Sequence, residues 1–368
     1  MKVCISIDLD NYQDYQSLVD TEQKGEAPSF YGLAIPRFLD LFDQAGVKAT
    51  FFAIGRDLAD PEARRCLREV VSRGHEVGNH SYSHPYNFRQ LTRSEKESEI
   101  SQAEEAIADV IGERPVGFRT PSCDISGETL DLLVERGYLY DSSIFPTPIM
   151  WAFMLYGLIF VRRKNYQLGP MSAVMAPPRP YFPCDEKIHH VQNTSRGRTG
   201  PDLVEIPISV TSPIRLPFYS TLIRLFGTRF FDWTLRWPRK EEELHMLFHL
   251  IEMADFEGTA LSDSIGNTPG IGIPLERRSR FVSHATEALA LRGTCVPMRE
   301  VASAFRSRNE DSELRMPANR LALSIAVSVV SAVIVSERGA RTRLRLLPAA
   351  PLGLATLEAT ARDTFVKV

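Results

Sequence analysis

Short apolar runs recur along this sequence with helix-spaced segments between them, and that rhythm leaves few folds open. Val3 to Ile7 is β-branched and apolar, and Ala49 to Ile54 repeats that character. Between them, Leu33, Phe38, Leu41, Phe42 and Ala45 fall on one helical stripe that Gly46 stops. The alternation continues with a helix over Pro61 to Ser72 stopped by Gly74, a strand over His75 to Asn79 and a charged helix from Arg93 to Ile111. A strand at Val116 to Arg119, a helix from Gly127 to Arg136 and a strand at Tyr138 to Asp141 follow. Strands and helices trading places in this way predict a parallel sheet with helices outside it, open or closed into a barrel.

From Ser142 to Pro238 the rhythm breaks into Pro-rich and basic stretches around a strand-like Leu203 to Val210, which reads as an insertion at about 142–238. Regularity returns with the apolar run His245 to Ile251, a helix over Leu275 to Leu291, a strand at Thr294 to Val296 and a helix over Arg299 to Phe305. One module over 1–306 and a tail over 307–368 without the earlier pattern result. Hydrophobic residues at 43% and charged residues at 24% of 368 are enough for a sizeable core. A net charge of −3 gives no global positive field, so nucleic acid is not an expected partner. Cysteines 4, 66, 123, 184 and 295 form no C-x-x-C pair and read as reduced thiols.

The first residues lack a leader's long apolar region, which makes a cytoplasmic protein the expectation. Ile149 to Val161, followed by Arg162, Arg163 and Lys164, and Leu321 to Val335 are oily but shorter than the roughly 17 residues of a spanning helix. The first reads as a buried helix, or as a peripheral contact with the inner face of a membrane through its basic flank. No pattern sets an oligomeric state.

Four groups of residues carry chemistry. Asp8 and Asp10 end the opening strand and, two apart, point the same way. Two such carboxylates call for a cation or an arginine between them. His80 and His84, in His80-Ser81-Tyr82-Ser83-His84, follow a strand directly; four apart on a helical turn, they can share one transition metal with a third ligand from elsewhere. Phe118-Arg119-Thr120-Pro121 again sits at a strand end, where a guanidinium can pair with Asp8 and fix its direction. His249 closes the run Leu247-Phe248-His249 and is a candidate general acid beside a metal site. All lie where strands end, the face on which parallel α/β proteins and barrels assemble active sites.

In this order the residues resemble the polysaccharide deacetylases with the NodB-homology domain, also called carbohydrate esterase family four. Asp8 with Asp10, His80 through His84, Arg119 through Pro121 and Leu247 through His249 correspond to that family's successive motifs, over residues 1–141 closely and 203–306 more loosely. Ala49-Thr50-Phe51-Phe52 and Gly74 through His80 also look like its second strand and the approach to its histidines. The resemblance implies a distorted (β/α) barrel with about seven parallel strands. It also implies a divalent transition metal, zinc first among the candidates, held by Asp10, His80 and His84, with Asp8 as base and His249 as acid. Arg119 completes the catalytic set. Leu9 between the aspartates looks like the branch acting on precursors and unusual amides, and Ser122 stands where the family often has an aromatic. Asp141 resembles the fourth motif region, either orienting His249 or closing a strand.

The reaction so implied is hydrolysis of an N-acyl, typically N-acetyl, group on an amino sugar of a polysaccharide, a lipid-linked sugar or another cell-envelope precursor. Two other readings compete. A haloacid dehalogenase-type phosphatase also opens with D-x-D and would use Asp8 as nucleophile, but gives His80 and His84 no task. A non-catalytic carbohydrate-binding barrel would have no use for Asp8 and His249.

Overall fold

The computed structural model describes residues 1–19, 29–149, 169–183, 203–237, 243–257 and 272–314. Its strands, all in one parallel sheet, are β1 (Lys2–Asp8), β2 (Thr50–Ala53), β3 (Glu76–Asn79), β4 (Gly117–Phe118), β5 (Tyr140–Asp141), β6 (Val204–Glu205), β7 (Leu244–His249) and β8 (Thr294–Cys295). Seven of them run in the order β6-β5-β4-β3-β2-β1-β7, and β8 pairs with the first residues of β1. Helices α1 (Tyr12–Val19), α2 (Phe30–Ala45), α3 (Pro61–Ser72), α4 (Arg93–Ile111) and α5 (Gly127–Glu135) belong to the first part of the chain. Helices α6 (Ser220–Phe226), α7 (Thr228–Thr234), α8 (Leu275–Arg292) and α9 (Met298–Leu314) follow.

β1 lies between β2 and β7. Covered on both faces, it is apolar almost throughout instead of alternating, and Val3, Cys4, Ile5 and Ile7 are all buried. The sheet curls until its outer strands meet one strip of chain. Ile206 N donates to Asp141 O (2.8 Å), Ser209 N to His245 O (3.2 Å) and Leu247 N to Phe218 O (3.0 Å). Residues 206–219 therefore bridge β5 to β7, and the distorted barrel of about seven strands that the resemblance implies results, left incomplete.

Local sequence explains most helix ends. Asp60 caps α3 by accepting from Glu62 N, with Pro61 next. Thr92 and Glu95 form a reciprocal capping box on α4, and Gly112 ends it at φ 81°. Two starts differ from expectation because Asn11 acts twice. Asp14 Oδ2 accepts from Asn11 N (2.8 Å), opening a helix α1 that apolar periodicity does not reveal. Asn11 Oδ1 accepts from Phe30 N (2.9 Å), so α2 begins three residues before Leu33 with a cap supplied from 19 positions away.

The stripe predicted on α2 packs inward: Phe38 meets Phe42 at 5.7 Å and Phe248 of β7 at 6.2 Å between ring centroids. Burying each such ring is worth roughly 1.5–3 kcal/mol. Gly78 of β3 leaves room for the Phe52 ring, since a Cβ there would meet ring carbons at 2.6 Å. That ring is the floor beneath Arg119.

The region read as an insertion contributes β6, shorter than the strand expected over Leu203 to Val210, and the pair α6 and α7. Helix α9 runs past the expected Phe305 to Leu314, and Met1–Leu314 form one compact unit. The oily run from residue 150 to Val161, the run Leu321 to Val335, Cys184 and the tail beyond Leu314 lie outside the described residues. Cys4, Cys66, Cys123 and Cys295 are free thiols. Among the described residues no helix is long and apolar enough to cross a membrane.

Candidate metal centre and its flanking groups

Strand register sets the site. Asp8 is directly beside Phe52 on β2 and beside His249 on β7, and Asn79 is beside Phe118. The next residues on β3 and β4, His80 and Arg119, therefore emerge side by side at the same mouth. Leu9 is buried, with its N–H on Phe52 O (3.1 Å), so Asp10 returns to the side Asp8 faces.

Asp10, His80 and His84 converge, each offering one ligand atom, with these atoms all within 4.8 Å of one another. Asp10 Oδ1 is 3.5 Å from both His80 Nε2 and His84 Nε2. It is buried without a hydrogen-bond donor, as an oxygen awaiting a cation would be. His80 Nδ1 lies 2.8 Å from Arg119 O. Facing a carbonyl, Nδ1 must carry the proton, which leaves the Nε2 lone pair for a ligand bond. Two imidazoles and a carboxylate suit zinc and other divalent transition metals.

The histidine pair is not on a helical turn, as its spacing suggested. Residues 80–84 form a bend in which Ser81 (φ 66°) and His84 (φ 56°) take left-handed backbone. Such positions cost of order 1–3 kcal/mol each and persist only when surroundings hold them. Glu99 of α4 supplies the hold: its carboxylate accepts from Tyr82 N (2.9 Å), Ser83 N (2.8 Å) and Ser83 Oγ (2.6 Å). Asn79 Oδ1 accepts from Ser81 N (2.8 Å).

Behind His84 stands Asp14, a residue the sequence reading did not single out. His84 Nδ1 is 3.4 Å from Asp14 Oδ1, an ion-pair contact without the alignment of a hydrogen bond. Arg56 Nη2 donates to the same oxygen. Burial pushes the His84 imidazole down, but the Asp10 and Asp14 carboxylates outweigh it and bring it up to about 9. Burial pushes Asp10 up, and His84, His80 and His249 together hold it below the ordinary carboxylate range. These carboxylates favour a proton on His84, and a metal bound there would compete with it.

Arg119 is fully buried and its donors are spent within the fold. Nη1 donates to Asp8 Oδ1 (2.5 Å) and Ser6 Oγ (3.0 Å), Nε to Ser142 O (2.8 Å) and Nη2 to Ser142 Oγ (2.8 Å). Its guanidinium carbon sits 4.2 Å over the Phe52 ring. His245 Nε2 lies 2.8 Å from Ser6 Oγ and 3.3 Å from Arg119 Nη2. Burial and the neighbouring Arg119 charge push His245 down to about 3, so it is neutral. Ser6, Ser142 and His245 were also unread; they lie far apart in the chain and carry no motif.

Asp8 keeps one oxygen for other work. Its Oδ2 is 3.9 Å from His80 Nε2 and from His249 Nε2. His249 Nε2 is also 4.0 Å from Asp10 Oδ2, and its ring stands edge-on to Tyr219 at 5.4 Å. Asp141 does not orient His249: its carboxylate accepts from Ser143 Oγ (2.7 Å) and N (3.2 Å). Ser143 Oγ in turn accepts from Thr120 N (2.8 Å), so Asp141 ties down the loop after Arg119. Burial raises both Asp141 and its neighbour Glu205, and the mutual charge adds to the rise in Glu205.

Residues 30–140 match the family model for polysaccharide deacetylase. That span includes His80, His84 and Arg119, while Asp8, Asp10 and His249 lie outside it and join through the fold. The chain is 34% identical over 112 residues to a peptidoglycan deacetylase from Helicobacter pylori, covering 30% of this chain and 37% of that one. A chitin deacetylase from Colletotrichum lindemuthianum is 36% identical over 94 residues, 24% of this chain and 38% of that one. The chain thus spans well under half the length of these curated relatives. A Mycobacterium smegmatis crystal structure described as a polysaccharide deacetylase superposes with a TM-score of 0.51 at 18% identity, over 83% of this chain and 91% of that one.

Proposed function

We propose, from the match of residues 30–140 to the polysaccharide deacetylase family model, that the protein is a metal-dependent hydrolase removing an N-acyl group, typically N-acetyl, from an amino sugar. One observation carries the reading: the Asp10, His80 and His84 donors meet at one point with Asp8 and His249 beside it. Asp10, His80 and His84 would hold a divalent transition metal, zinc first among the candidates, which when bound polarises the amide carbonyl and makes water more acidic.

The chain's own groups do the proton work. Arg119 fixes Asp8 through Oδ1, so Oδ2 faces the mouth and accepts a proton from the attacking water. As the C–N bond breaks, His249 Nε2 delivers a proton to the departing amine, and the acyl group leaves as a carboxylate. The backbone amides of Cys123 and Asp124 are spent on Thr120 O and Pro121 O. That leaves the Ser122 N–H, in the turn after Arg119, as the candidate to steady the oxyanion.

The relatives named above support an N-acetylated amino-sugar polymer as substrate; a lipid-linked amino sugar is the narrower alternative. The phosphatase reading is not favoured. The groups meeting Asp8 are Arg119, His80 and His249, and a phosphatase would give the convergence of His80 and His84 on Asp10 no task. The test is acetate release from a panel of peptidoglycan fragments, chitin oligomers and glycolipid extracts by zinc-loaded protein. Release from at least one, abolished by chelator, is the expected result. Metal bound stoichiometrically with every substrate silent would turn the reading toward a barrel that binds glycan without cleaving it.

A further inference from the structure

Tyr219, whose ring meets His249, also opens α6, and Gly227 (φ 81°) joins α6 to α7. Along the two helices and the turn that follows them, Phe226, Phe230, Trp233 and Trp237 recur at spacings of four, three and four. Leu225, Arg229, Asp232 and Arg236 form a second lane one position earlier. The inner side, with Ile223, Phe231 and Thr234, is buried. The outer lanes are not: Phe226 is 61% exposed, Leu225 44%, Trp237 40% and Trp233 37%. A contiguous exposed patch of this kind marks an interaction surface.

We propose that this ridge docks on an anionic lipid surface, bringing the mouth of the barrel beside it. Aromatic and leucine side chains next to a basic lane are the composition of helices that lie in the plane of a membrane interface. The charge is complementary as well. Arg229 and Arg236 are exposed in the lane and outnumber its one carboxylate, Asp232, whose Oδ1 lies 2.7 Å from His284 Nε2. A glycan fits less well. Stacked sugars need rings in a common plane, whereas successive rings here tilt by 43°, 29° and 75° and lie 4.8–5.5 Å apart, packed on one another. A second copy fits less well too, because a two-fold contact through this patch would set arginines near arginines.

The experiment is flotation of the full chain with vesicles of phosphatidylcholine alone or mixed with phosphatidylglycerol, with no substrate present, so the outcome is independent of the deacetylation reading. The expected result is binding to the anionic vesicles that weakens as salt rises. Phe226→Ser with Trp233→Ser and Trp237→Ser should abolish it. Arg229→Gln with Arg236→Gln should weaken partitioning by about 25-fold, from roughly fivefold per basic residue near an anionic surface. Circular dichroism and zinc binding unchanged from the parent verify that the variants fold. No flotation of the parent overturns the proposal. So does undiminished binding by the triple-serine variant, which would assign the membrane contact to another segment such as Ile149–Val161. Ridge-dependent retention on a chitin matrix or ridge-dependent dimerisation, without flotation, would overturn it in favour of a glycan or a second copy.

Discussion

The two halves of the mouth are built on opposite principles. Around Arg119 the chain completes itself: the guanidinium's donors reach Asp8, Ser6, Ser142 and the His245 ring, and it rests on Phe52. Around Asp10 it stops short, since Asp10 Oδ1, between His80 Nε2 and His84 Nε2, is buried with no hydrogen-bond partner among the described residues. Buried polar atoms without partners cost about 1–3 kcal/mol each, so a fold keeps them where something else completes the set. The first half is a rigid frame that aims Asp8; the second is a receptor whose missing partner is an ion.

Substitutions can break that contrast. Asp8→Asn keeps an acceptor for Arg119 but loses the base, so turnover should fall by about 10²–10⁴. Zinc affinity measured by chelator competition should stay within a few-fold; an active Asp8→Asn enzyme refutes the base assignment. Arg119→Met attacks the frame and leaves Asp8 buried and unpaired, which should cost about 3–5 kcal/mol in urea unfolding. Arg119→Lys should not restore it, because one ammonium cannot reproduce the fork to Asp8 and Ser142. Full stability in Arg119→Met would show that the frame is not what holds the mouth.

Asp14→Asn probes the receptor half from behind. Loss of a carboxylate supporting a metal-binding histidine weakens metal binding by about 10- to 100-fold. Zinc titration of the purified variant, with its unfolding midpoint unchanged, is the measurement, and an unaltered affinity would assign Asp14 to Arg56 alone. A further effect concerns pH. His245 is held at about 3 in the fold against an ordinary value of 6.5, so between those values the unfolded chain binds the extra proton. Stability from this residue is intact above about 6.5 and is lost as pH falls toward 3, by at most about 1.4 kcal/mol per pH unit. In His245→Asn that slope should be shallower over the same window; an identical slope would show that His245 is not neutral in the fold.

The sequence revealed what local periodicity and strand ends encode. β1, α3, α4 and β7 stand within a residue or two of where apolar patterning and caps put them, and Asp8, Asp10, His80, His84, Arg119 and His249 reach one mouth. It concealed what non-local contacts decide. Asn11 caps a helix 19 residues on, Glu99 forces the histidine loop into left-handed backbone that spacing alone read as a helical turn, and Ser6, Ser142 and His245 become Arg119's partners only when β1, β5 and β7 come together. Asp14 had a faint signal: an Asn three residues ahead of it, as in a helix-capping pair. The pairing of α6 with α7 had one as well, in aromatics spaced by three and four within the region read as a Pro-rich and basic insertion.

An anomalous-difference map at the zinc edge, from crystals equilibrated with zinc, tests the ion-receptor account most directly. The account predicts one strong peak about 2.0–2.2 Å from an Asp10 oxygen, His80 Nε2 and His84 Nε2, with Asp8 Oδ2 facing it. A peak elsewhere, or none with those three side chains in place, would contradict it.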